Sequence, residues 1–231
     1  KDLYNNKKDS YISTDYSRIN LREDRVYTDY KLPKDLGNGR VIAFRKGLNQ
    51  AGNFVVVEPC GTVSKLFNTG RFNQLKYDVH GSWVVWDEVV PDPRWERRDY
   101  SVIVLANLQN HTKKALTRRT RYFSPDISPN GKIIAVIEID ETNRNFITLL
   151  DLQSGEPITR IPAPPGSALQ FPEWTDMQHI AAITVGNTGK QLVVLDLDGE
   201  NWSLILSAGQ EDISEPVNYK KYILFRGSFN G

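Results

Sequence analysis

The chain has 231 residues, 39% of them hydrophobic and 25% charged, a balance that supports a packed globular core. Its formal net charge of +1 excludes the strongly basic field of a dedicated nucleic-acid binder. No apolar stretch reaches the roughly 18 residues a membrane-crossing helix needs, and the lone Cys60 excludes an intramolecular disulfide and a multi-cysteine zinc site.

Residues 1–24 are polar, with weak alternation in SYISTDYSRINL, and read as a tail or as a source of one or two strands. Residues 25–38, RVYTDYKLPKDLGN, read as a short strand and a turn, with Pro33 at the strand end because it cannot donate to a ladder. From there the hydrophobic pattern repeats. The segments GRVIAF (39–44), GSWVVW (81–86), GKIIAV (131–136), MQHIAA (177–182) and KKYILF (220–225) align without gaps, their starts spaced by 42, 50, 46 and 43 residues. Each repeat carries short apolar runs bounded by Gly, Pro, Asn and Asp, which is strand and hairpin punctuation, and no segment sustains a 3.6-residue apolar period. A period near 45 with about four strands per unit predicts an all-β propeller of about five four-stranded blades. The expected blades span about 38–73, 74–120, 121–166, 167–210 and a partial 211–231, within a propeller covering 25–231. The near-continuous runs IIAVI and VVL fit strands covered on both faces. Strands from residues 11–30 either complete the fifth blade and close the ring, or further blades lie outside this sequence. The chain starts at Lys1 and has its only methionine at Met177, which suggests a processed or excised part of something longer.

The third repeat carries a motif. Ser128, Pro129, Asn130 and Gly131 form a turn in which Pro fixes φ, Asn caps through its side chain and Gly takes the positive φ. Asp151, Leu152 and Gly155 follow the next strand, and Asp196, Leu197 and Gly199 echo them in the fourth repeat, whose first turn is degenerate at Thr175-Asp176-Met177. Read together, these residues resemble a TolB-type blade, also called a PD40 or WD40-like repeat, over about residues 38–230. The resemblance implies a propeller used as an interaction platform, a substrate gate or an enzyme subdomain. It implies a bacterial protein of the periplasm, the cell surface or the secreted fraction.

Catalytic motifs are missing from the sequence. It has no Gly-x-Ser-x-Gly elbow, no His-Glu-x-x-His zinc motif and no phosphate-binding loop. His80, His111 and His179 fall in different repeats, and the acidic loop of Glu138, Asp140 and Glu141 lacks the oxygen spacing of a calcium loop. Neither a metal nor a cofactor is expected. The loop PDPRWERRDY (91–100) sets Trp95 among Arg94, Arg97 and Arg98, so it either folds back over its own blade or meets an acidic or aromatic partner. Trp174, in PEWTD, caps a blade interface or lines a binding face. The basic stretch Lys113, Lys114, Arg118, Arg119 and Arg121 reads as a solvated outer edge.

The leading expectation is a non-catalytic protein-interaction or scaffold propeller. The alternative is a gating or accessory propeller of a larger peptidase or carbohydrate-active enzyme. A catalytic propeller would need carboxylates converging from several blades, and Asp78, Asp87, Asp126 and Glu173 sit near strand ends where that can happen.

Overall fold

The computed structural model describes residues 27–48, 50–72, 75–91, 99–209, 212–219 and 222–228, and every regular element in them is a β-strand. The first sheet contains β1 (Thr28–Asp35), β2 (Val41–Gly47), β3 (Asn53–Val57) and β4 (Val63–Asn68). The second contains β5 (Tyr77–His80), β6 (Trp83–Pro91), β7 (Asp99–Asn107) and β8 (Thr112–Ala115). The third contains β9 (Tyr122–Ile127), β10 (Ile133–Ile139), β11 (Asn145–Asp151) and β12 (Pro157–Pro162). The fourth contains β13 (Ala168–Trp174), β14 (His179–Gly186), β15 (Gly189–Asp196) and β16 (Asn201–Gly209), and the fifth pairs β17 (Asp212–Tyr219) with β18 (Tyr222–Ser228). Each sheet is an antiparallel meander in chain order. The expected N-terminal segment, 1–24, lies outside the described residues.

The five aligned segments fall on the second strand of each sheet, and their composition follows from where those strands sit. In β10, Ile134 and Val136 pack against Val85, Ile103 and Leu105 of the second sheet, while Ala135 and Ile137 pack against Ile180 and Ala182 of the fourth. A strand buried on both faces has no reason to alternate, so it reads as a continuous apolar run. The first and second sheets meet through aromatic rings, with Phe54 centred 5.0 Å from Trp86 and 4.7 Å from Tyr77. The sheets therefore stack face to face in sequence, with the first strands β5, β9, β13 and β17 touching one another in turn. This is a β-propeller, with each blade's first strand innermost.

Four of the five innermost strands share an irregularity. Leu32, Ser124, Phe171 and Glu215 have φ of 51°, 52°, 51° and 53°, and each precedes a proline. The ladder register shifts at the same places, skipping two residues in β1, β9, β13 and β17. Proline has no N–H for a ladder, so each bulge takes the X-Pro pair out of register and re-aims the side chain that follows. The same bulge makes β1 hard to read in sequence. Pro33 lies inside this strand rather than at its end, and β1 pairs with β2 upstream of the boundary expected near 38.

Among the described residues, one face of the fifth sheet is covered. Ile213, Ile223 and Phe225 pack on Ala181, Ile183 and Leu192 of the fourth sheet, whereas Val217 and Leu224 on the opposite face are 51% and 53% exposed.

Ser124 combines left-handed backbone with a fully buried hydroxyl that has no hydrogen-bond partner among the described residues. Relief of about 1–3 kcal/mol of strain outweighs the roughly 0.5–1 kcal/mol entropic cost of glycine. Ser124→Gly is therefore expected to raise unfolding stability in urea, and Ser124→Ala to lag behind it. A glycine variant no more stable than the alanine variant would contradict this reading.

Candidate functional site

The re-aimed side chains converge. The residue after each bulge proline is Lys34, Asp126, Glu173 or Val217, and Asp78 holds the matching place in β5, where Tyr77 stands instead of proline. An innermost strand has a ladder partner on one side only, so its inward N–H groups need other acceptors. The carboxylates supply them across the sheet boundaries. Asp78 Oδ2 accepts from Ile127 N at 2.9 Å, Asp126 Oδ2 from Trp174 N at 2.7 Å, and Glu173 Oε1 from Asn218 N at 3.1 Å. Each carboxylate thus grips the backbone of the next sheet, one residue past its own counterpart. At Val217 the series has no side chain that can continue it.

Two lysines complete the cluster. Lys34 pairs with Asp78 Oδ1. Lys76 reaches from the start of β5 to Asp126 Oδ1 at 3.2 Å and Glu173 Oε2 at 3.5 Å, and donates to the Pro172 carbonyl. Tyr77 donates to the carbonyls of Leu32, the bulge residue of β1, and Ile42. Asp87, also buried, is not part of this convergence; its Oδ1 accepts from Ser124 N at 3.0 Å and so holds the bulge of β9.

Burial, reinforced by the Glu173 carboxylate, pushes the Asp126 carboxyl well above the usual carboxylate range, against the pull of Lys76. Burial alone would lower the Lys34 ammonium, but Asp78, Asp126 and Glu173 overcome it and hold it above its ordinary value. Lys34 and Lys76 thus face Asp78, Asp126 and Glu173 across the cluster. A carboxyl raised in this way is also the mark of a catalytic acid. Access decides between the two roles. Asp126 is 3% exposed and its oxygens face Lys76 and Trp174 N, so it can hold a proton but presents it to no reactant. The three carboxylates converge as a catalytic propeller requires, and they are spent on joining sheets.

Trp174 lies in this assembly. Its ring is buried among Ile137, Ile180 and Leu195, and Nε1 donates to the Asp126 carbonyl at 3.2 Å, so it packs between the third and fourth sheets. The turn residues lie apart, at hairpin ends. Asn130 Oδ1 accepts from Lys132 N and Ser128 Oγ, Pro129 sits between them, and Ser128 O accepts from Gly131 N. Gly131 has φ +67°, and a Cβ there would stand 2.7 Å from His80 of the second sheet. Asp151 Oδ1 accepts from the N–H groups of Gln153 and Ser154, and Asp196 Oδ1 from Asp198 N; a Cβ on Gly199 would meet Asn201 Nδ2 at 2.5 Å. Arg94, Trp95, Arg97 and Arg98 lie outside the described residues. The three histidines go to separate places: His80 beside Gly131, His111 near Phe67, and His179 against Asp176.

Lys34 and Lys76 were invisible as site residues in the sequence. The available signal was the X-Pro step before Lys34, Asp126 and Glu173, which marks the bulges that re-aim the side chains following them.

No protein-family model matches the chain, and no curated protein matches it in sequence. Its structure is similar to solved propellers. A TolB-like protein from Agrobacterium tumefaciens superposes with a TM-score of 0.61 at 12% identity, over 83% of this chain and 72% of that one. TolB from Acinetobacter baumannii gives 0.58 at 13% identity, over 82% of this chain and 48% of that one. The β-propeller domain of the Trilobed protease from Pyrococcus furiosus gives 0.52 at 11% identity, over 89% and 80%. These likenesses show a TolB-like propeller fold, and the chain spans about half the length of the Acinetobacter protein.

Asparagine keeps an acceptor for Trp174 N and carries no charge to bury. Asp126→Asn is therefore expected to cost less than Asp126→Ala, which strands a buried N–H and the Lys76 ammonium at about 2–4 kcal/mol. The carboxyl is raised on folding from an unfolded value of about 3.9. Its stabilising contribution is complete below that pH and is lost as pH climbs towards the folded value. Urea unfolding from pH 3.5 upward should show the asparagine variant gaining on the wild type. A gap that moves the other way would contradict the assignment.

Proposed function

We propose that this chain is a non-catalytic, protein-binding propeller segment of a larger bacterial protein, periplasmic or carried at the cell surface. One observation carries the reading. Asp78, Asp126 and Glu173 all hold backbone amides of neighbouring sheets. A propeller that spends its central carboxylates on its own assembly offers partners its rim and loop faces, where side chains vary without disturbing the sheets. The likeness to TolB supports the interaction role and the location. The partner surface is assigned to the β6–β7 loop with Arg94, Trp95, Arg97 and Arg98, which leaves the second sheet between the paired strand ends Pro91 and Asp99.

A second reading has support of its own. The fold is also that of the propeller domain of the Trilobed protease. In that case the chain gates or supports a hydrolase whose reacting groups lie elsewhere.

The purified chain is expected to show no turnover on panels of peptide and glycoside substrates. Cross-linked partners captured by the wild type should be depleted for the double variant Trp95→Ala, Arg97→Ala. Turnover abolished by Asp126→Asn would overturn the non-catalytic reading, and identical capture profiles would overturn the assignment of the loop.

A further inference from the structure

A groove of about 680 Å³ opens between the third and fourth sheets. It is bordered by the β10–β11 turn, the connector from β12 to β13 and the β14–β15 turn. Its size falls within the span of ligand sites, about 300–1,000 Å³.

Two of its three walls are fixed before anything binds. In the β10–β11 turn, Asp140 accepts from Thr142 N at 2.8 Å, Arg144 N at 2.9 Å and Arg144 Nε at 2.9 Å. Arg121 braces the turn from behind, donating to the Asp140 carbonyl at 2.7 Å. In the connector, Ser167 Oγ donates to the Pro164 carbonyl at 2.7 Å, and Ala163 N to the Asn145 carbonyl at 2.9 Å. Walls that need no ordering on binding conserve affinity.

The lining decides what kind of ligand fits. Arg144 is the only charged residue in it, and the Asp140 carboxylate already neutralises that guanidinium. The lining therefore offers little net charge for a charged ligand to use. Phe146 is the only aromatic residue in the lining, and with the Arg160 guanidinium 3.5 Å over its ring and the residue 8% exposed, little ring face remains for stacking a sugar. Exposed side-chain amides stand on opposite walls at Asn143 and Asn187. Arg121 donates weakly to Asn143 Oδ1 at 3.4 Å, which leaves the NH2 of Asn143 to donate outward. A primary amide presents donors and an acceptor that match a peptide group. Pro162, Ala168 and Val185 supply small apolar surface beside them.

We infer that this groove binds an extended, uncharged polypeptide segment, with Asn143 and Asn187 holding its main chain and Pro162, Ala168 and Val185 seating small apolar side chains. The inference rests on the protein-binding reading and gives it a second surface, on a different pair of sheets from the β6–β7 loop.

A phage-displayed library of random dodecapeptides selected on the wild-type chain tests it. Enriched peptides should lack net charge. They should bind Ala168→Trp, which fills the groove from an exposed position, at least tenfold more weakly, and Asn187→Ala several-fold more weakly. Asn187→Tyr blocks the opposite wall from an exposed turn and serves if Ala168→Trp lowers the Tm. No enrichment, enrichment of charged sequences, or equal binding to wild type and blocked variants would overturn the groove. Any of these outcomes leaves the protein-binding reading intact, because partner capture through the β6–β7 loop does not pass through the groove. A wild type that captures no partner would end that broader reading.

Discussion

The fold depends on how an innermost strand satisfies the edge that faces the propeller axis. Such a strand is hydrogen-bonded to its own sheet on one side, and its other side is buried without a ladder partner. Two devices solve this. Prolines 33, 125, 172 and 216 remove donors from the inner edge, and Asp78, Asp126 and Glu173 accept from Ile127, Trp174 and Asn218 in the next sheet. Each carboxylate joins two sheets that share no strand-to-strand ladder, so the polar contacts fix a relative placement that apolar packing alone would leave free to slide. Removing one such acceptor strands a buried N–H at a cost of about 1–3 kcal/mol, a sizeable part of a domain's stability.

That solution shapes what the molecule can do. Convergent carboxylates with a raised member look like acid–base machinery when only residue types and positions are known. Here the geometry absorbs them, with Lys76 bridging Asp126 and Glu173 and Lys34 holding Asp78. The TolB-like fold is compatible with several roles.

The sequence and the structure agree most where burial dictates composition. The aligned apolar segments occupy second strands, and where such a strand is covered on both faces, as β10 is, a continuous run such as IIAVI leaves little room for another assignment. The Ser128–Gly131 turn was legible for a local reason, since Asn130 and Gly131 each answer a backbone need within a few residues. The first strands were harder. Their X-Pro bulges interrupt the period-two pattern, which placed Pro33 at a strand end when it lies inside β1. The staples were only partly legible. Asp78, Asp126 and Glu173 stand near strand ends, so their convergence was foreseeable, but their acceptor role depends on N–H groups more than 40 residues away, in another sheet. Lys76 carried no signal of its own, because nothing local separates an inward lysine from a solvated one.

Native-state amide hydrogen exchange tests the central claim most directly. If carboxylates serve as the missing ladder partners of the inner edge, the amides of Ile127 and Trp174 should exchange as slowly as those at the centres of β10 and β14, with Asn218 intermediate at the fifth sheet. Exchange of Ile127 and Trp174 at the rate of solvent-exposed turn amides would show that the sheets are held without them, and the account would fail.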